Sequence, residues 1–150
     1  MALPVFTKLS PIFVNIQGQF NAGDWATVLQ LINASNTLRV QLNQFQIDMV
    51  AGNANAIAID PGKGKASMEV IGGKQTYRLG TDWLEKPEKF VGVLAHESGH
   101  YANSAIDSKA WQFAYSTKTE VALHVALIGR EGAAISNNIT AARQIKAATG

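Results

Sequence analysis

His96-Glu97-Ser98-Gly99-His100, two histidines four residues apart with a glutamate after the first, is the stretch of this chain best suited to chemistry. On a helix, positions i and i+4 share a face, so both imidazoles can hold one metal ion. Glu97 lies about 100° further round by the 3.6-residue period, where it reaches a metal-bound water rather than the metal. Zinc is the expected ion, because a catalytic zinc takes three protein ligands and a water whose pKa it lowers to about 7. Glu97 is then the expected base, taking the water's proton during attack on a carbonyl. The chain has only 3 histidines, and two of them flank this glutamate. The apolar run Phe90-Val91-Gly92-Val93-Leu94-Ala95 leads straight into the motif, as a helix whose ligand face points inward requires.

Two histidines need a third partner, and Glu120, His124 and Glu131 follow downstream. Glu131 opens a helical pattern with Ile135, Asn138, Ala142 and Ile145 along one side, so its carboxylate begins an otherwise apolar face. A helix-opening glutamate also has a plain structural role, stabilising the helix dipole. The position of Glu120 after His100 resembles the spacing of thermolysin-like enzymes, but the Asp that those enzymes carry four residues on is here His124. His124, Tyr101 and Tyr115 are candidates to stabilise the oxyanion of a tetrahedral intermediate. Packing or a surface position is the commoner role for each. Asn138, on the ligand side of the last helix, can hydrogen-bond a metal ligand from behind. Adjacent Asn137 cannot face the same way. Asp107 reads as the cap of a turn after the metal helix.

Leu94-Ala95-His96-Glu97-Ser98-Gly99-His100-Tyr101-Ala102-Asn103, followed by Glu131-Gly132-x-Ala134-x-x-Asn137-Asn138 and Arg143-x-Ile145, resembles the zinc metallopeptidase domains of bacterial polymorphic toxins and type VI secretion effectors, a gluzincin-like group. The resemblance covers roughly residues 25–146 and includes the Asp60-Pro61 turn between strands. It implies Glu131 as the third ligand and a protein or peptide substrate. It further implies a cognate immunity protein and delivery to the periplasm of a target cell.

These residues need elements to position them. Trp25, Val28, Leu29 and Ile32 recur at helical spacing after Asp24, a candidate N-cap, and Asn33 to Asn36 end that helix. Leu38, Val40 and Leu42 alternate with polar residues as a strand does, although Leu38, Leu42, Phe45 and Met49 also fit a helix. Strands are expected over Ala56–Asp60, Ser67–Ile71 and Gln75–Leu79, joined by turns at Pro61–Lys65 and Gly72-Gly73, in an antiparallel meander. The edge of the strands within Ser67–Leu79 can hold an extended peptide by backbone pairing. Pro87 suits the first turn of the metal helix, whose apolar face is Phe90, Val93, Leu94 and Tyr101. Two further helices are expected, Thr117 to about Ile128 and Glu131 to Ala148, with Gly129 and Gly132 weakening the join. The predicted fold is α+β, a small antiparallel or mixed sheet with helices. It forms one domain over residues 1–150, with 1–21 as an extended lead-in.

Composition narrows the function classes. With 13 basic and 11 acidic side chains the net charge is only +2, and no basic cluster suggests a nucleic-acid partner. There is no cysteine, which excludes disulfides and thiolate metal sites. No apolar run approaches the roughly 18 residues of a membrane span, and the first residues lack the pattern of a signal peptide. The leading expectation is a zinc metallopeptidase that cleaves peptide bonds as a secreted antibacterial effector. Hydrolysis of peptidoglycan amides and a non-catalytic zinc-binding domain are the alternatives.

Overall fold

A computed structural model describes residues 3–61, 64–117 and 119–150. The elements run α1 (Ala22–Ala34), α2 (Asn36–Val50), β1 (Ala58–Asp60), β2 (Ala66–Ile71), β3 (Lys74–Gly80), α3 (Pro87–Ala102), α4 (Ser104–Thr117) and α5 (Glu120–Thr149). The class is α+β, as expected. No helix among the described residues is long and apolar enough to cross a membrane.

The lead-in is packed rather than extended. Pro11–Phe13 and Gln17–Gln19 form short 3-10 turns, and Ile12, Phe13 and Ile16 are fully buried. Phe13 meets Trp25 edge-on, which anchors the segment to α1. Asn21, not Asp24, caps α1: its side chain accepts from the Asp24 N–H and donates to the Asp24 carboxylate. Ser35 ends α1 and starts α2, accepting from the Leu38 N–H. With that cap in place, residues 38–42 are helical and the expected strand does not form. Leu38, Leu42 and Phe45 are buried at i, i+4 and i+7, so the helical spacing won over the alternation.

The sheet has the order β1-β3-β2 and is mixed, not a meander. β2 and β3 form a hairpin through Gly72 and Gly73, whose φ of +58° and +79° suits a tight primed turn. β1 crosses to the far edge of β3 and pairs parallel to it. Central β3 thus places Arg78 between Asp60 of β1 and Glu69 of β2, at 2.7 and 3.3 Å, so two carboxylates share one cation. Part of the expected turn at Pro61–Lys65, residues 62–63, lies outside the described residues.

The C-terminal half departs further. Asp107 lies inside α4, a helix where only a turn was expected; Phe113 and Tyr115 on it are exposed. The two expected final helices are one, α5, of 30 residues. Gly129 and Gly132 weaken a helix interior by about 1 kcal/mol each relative to alanine. Packing of α5 against α1, α2, α3 and α4 outweighs that. Its buried side is Ala122, Ala126, Ala134 and Ala141, while Ile135 and Ile139 are exposed. Small residues on the inner face let α5 lie close against α3.

Candidate metal centre

α3 starts at Pro87 and is buried along most of its length, including Phe90, Val91 and Leu94 before the motif, Glu97 to His100 within it and Tyr101 after it. His96 and His100 therefore leave a buried helix on one face, their rings 5.0 Å apart and nearly perpendicular. Glu131 on α5 faces them. His96 Nε2 lies 3.4 Å from one Glu131 oxygen, and His100 Nε2 lies 3.5 Å from the other. One ligand atom from each of the three residues falls within 4.8 Å of the others. Ligand atoms about 2.0–2.1 Å from a tetrahedral zinc are about 3.4 Å from each other. Each imidazole stands at about that distance from a different Glu131 oxygen, and two imidazoles with a carboxylate are a donor set that could hold zinc.

The approach of Glu131 depends on Gly99. A Cβ at position 99 would stand 2.7 Å from Ala134 Cα and 3.0 Å from Asn137 Cβ. The missing side chain lets α5 cross α3 backbone to backbone, one helical turn from Glu131. Asn137 fixes the crossing: its Nδ2 donates to the Ala95 carbonyl, and its Oδ1 accepts from Gln41 of α2 at 2.7 Å. Asn137, rather than Asn138, is therefore the asparagine tied into the core; Asn138 lines a hollow beside His96.

Asp107, read from sequence as a turn cap, contacts a candidate ligand, His100, instead. It is 7% exposed, and its Oδ2 lies 3.2 Å from His100 Nδ1. A proton on Nδ1 donated to this carboxylate leaves the Nε2 lone pair free for a metal. Arg130 Nε lies 3.3 Å from the same Asp107 oxygen, giving that buried carboxylate a cationic neighbour. Neither role has a sequence signal, because each exists only where α3, α4 and α5 meet.

Glu97 is 3% exposed. Burial pushes its carboxyl up to about 7, with the Glu131 carboxylate adding to the rise; His100, the backbone N–H of Met68 and Arg130 act against it. Burial also lowers the pKa of His96, as does neighbouring His100, which favours the neutral, metal-binding form. The Met68 contact places β2 next to Glu97.

The other candidates lie elsewhere. Tyr101 packs against Phe45 and Tyr77 and donates to Asp48 of α2, so its hydroxyl points into the core contacts of α2. Tyr115 is exposed on α4. Because α5 is unbroken, exposed His124 sits two turns, about 10 Å, before Glu131, and Glu120 about 16 Å before it. Among the described residues only His96, His100 and Glu131 gather as a metal-binding group. Comparison with protein-family models, curated proteins and solved structures gives no match, so the functional reading stands on this geometry.

Proposed function

We propose that the chain is a zinc-dependent metallopeptidase, with His96, His100 and Glu131 as the metal ligands and Glu97 as the general base. The observation that carries this reading is the Glu131 carboxylate set against both imidazoles at 3.4 and 3.5 Å. When bound, zinc would polarise the scissile carbonyl and acidify the attacking water. Glu97 accepts a proton from that water as its oxygen bonds to the carbonyl carbon. It then returns the proton to the amide nitrogen as the C–N bond breaks, so the residue ends as it began. Burial raises this carboxyl in the metal-free protein, and a bound dication would act against that rise and favour the carboxylate that a base requires. Asp107 holds the His100 ring in the tautomer and direction that binding needs.

A ligand group of three, without a fourth His, Cys, Asp or Glu among the described residues, supports a catalytic rather than a structural site. β2 is an edge strand of the sheet and its Met68 N–H reaches Glu97, so an extended peptide added along that edge passes the base. Action as a delivered antibacterial toxin with a cognate immunity protein follows from the motif resemblance alone. Peptidase assays on zinc-loaded protein test the reading. Glu97→Gln should keep the zinc and the fold and lose at least a hundredfold in kcat; a fully active variant refutes it. Parallel digestion of purified sacculi separates a protein substrate from peptidoglycan.

A further inference from the structure

Two hollows lie along the seam between α3 and α5 on the side of His96 away from Gly99. The nearer, of ≈ 440 Å³, is lined by His96, Val93, Lys89 and Trp83. The farther, of ≈ 420 Å³, has apolar walls from Leu31, Val91, Ala95, Ala141 and Ile145. Glu88, Gly92 and Asn138 line both, so the two hollows adjoin as an open surface channel that begins at a proposed metal ligand. Each volume is in the range of a small-molecule or side-chain site.

Gly92 sits one turn before His96 on the same helix face, about 6 Å along the axis. A Cβ there would meet nothing within 4 Å, in contrast to Gly99. Glycine weakens a helix interior, and no packing contact of this fold asks for it at position 92. Gly92 lies on the wall that the two hollows share.

We propose that this channel is the specificity site of the peptidase, taking a large apolar side chain about two or three residues from the bond that is cut. The inference rests on the peptidase reading and names its substrate class. An extended chain advances about 3.3 Å per residue, so two or three residues cover the distance from His96 past Gly92 to the apolar walls. The apolar lining selects Leu, Ile, Phe or Met over Gly or a charged residue. Glu88 and Lys146 stand at its polar margin.

The test uses zinc-loaded protein and nonapeptides in which a single Leu is moved through an otherwise Gly/Ala/Ser sequence, with cut sites read by mass spectrometry. The proposal predicts that one Leu position, two or three residues from the cut, raises kcat/KM at least tenfold. Gly92→Leu should fill the channel and bring that ratio to about one while retaining wild-type zinc content and an unchanged or higher melting temperature. A Leu preference that survives Gly92→Leu overturns the proposal, as does cleavage without any apolar preference. The same peptides are titrated by NMR into zinc-loaded Glu97→Gln. If nothing is cleaved but Leu peptides shift the Gly92 amide, and that binding is lost in Gly92→Leu, the channel stands and the peptidase reading falls. If neither cleavage nor binding is seen, the channel falls. Sedimentation showing a dimer that Gly92→Leu dissociates, with no peptide effect, marks the seam as a contact between copies and also overturns it.

Discussion

Replacing Gly99 by alanine tests whether close helix contact positions the metal site. The added Cβ would lie 2.7 Å from Ala134 Cα, a backbone atom that cannot rotate away. Comfortable carbon contacts are about 3.5–4.0 Å, so α5 must retreat by about 1 Å. Glu131 is one turn from Ala134 and moves with it. Its 3.4 and 3.5 Å approaches to the two imidazoles would lengthen by a similar amount. Metal–ligand distances tolerate only about 0.2 Å. Zinc affinity should therefore fall by about 10–100-fold, the cost typical of disturbing the residues that orient ligands. Overpacking costs about 1–3 kcal/mol. Better helix propensity offsets about 1 kcal/mol of that, so the metal-free variant stays folded. The assay is competition for zinc against a chromophoric chelator, with denaturant unfolding in excess chelator alongside. Gly129→Ala is the control: its Cβ meets nothing within 4 Å, so it should gain about 0.5–1 kcal/mol and keep wild-type zinc affinity. Wild-type affinity in Gly99→Ala would refute the reasoning.

Three more outcomes follow. Asp107→Ala removes the partner of His100 Nδ1 and should weaken zinc binding about 10–100-fold, again read by chelator competition; an unchanged affinity would show that the contact is incidental. In metal-free protein, Glu97 is raised from 4.5 to about 7, so the folded state holds the extra proton. Its contribution is full below pH 4.5 and is lost as pH rises through about 7. Wild type should therefore lose about 3 kcal/mol relative to Glu97→Gln between pH 4.5 and 8, read by urea unfolding in chelator; parallel curves for the two proteins would contradict this. Ser35 caps α2 and donates to Gln144 of α5 at 2.8 Å, so Ser35→Ala should cost about 1–2 kcal/mol by denaturant unfolding, and a change within error would deny the cap its role.

The parts of this architecture that can be read along the chain are those set by one element's own period. The spacing of His96 and His100 defines a shared helix face without any tertiary information, and the Gly72-Gly73 turn specifies its hairpin locally. Glu131 was singled out by an apolar helix face and a motif resemblance, and α5 carries it to the imidazoles. What failed locally was competition between patterns. Residues 38–42 carry both a strand alternation and a helical stripe, and the Ser35 cap together with burial against the core settles them as helix. Gly129 and Gly132 are breakers on propensity alone, but α5 is held by neighbours along its length. Asp107, Arg130 and Gly99 were missed as site residues because their roles require α4 and α5 to cross α3 at particular points. The inner face of α5 was misplaced by one position because alanines, not isoleucines, make the closest helix contacts.

The most direct test of the account is the ligand set of the zinc-loaded protein, determined by anomalous diffraction at the zinc edge. The account predicts one zinc per chain bound by Nε2 of His96, Nε2 of His100 and the Glu131 carboxylate, with the remaining position open to solvent beside Glu97. A zinc closed by four protein ligands, a carboxylate other than Glu131 in the third position, or no zinc between these histidines would contradict it.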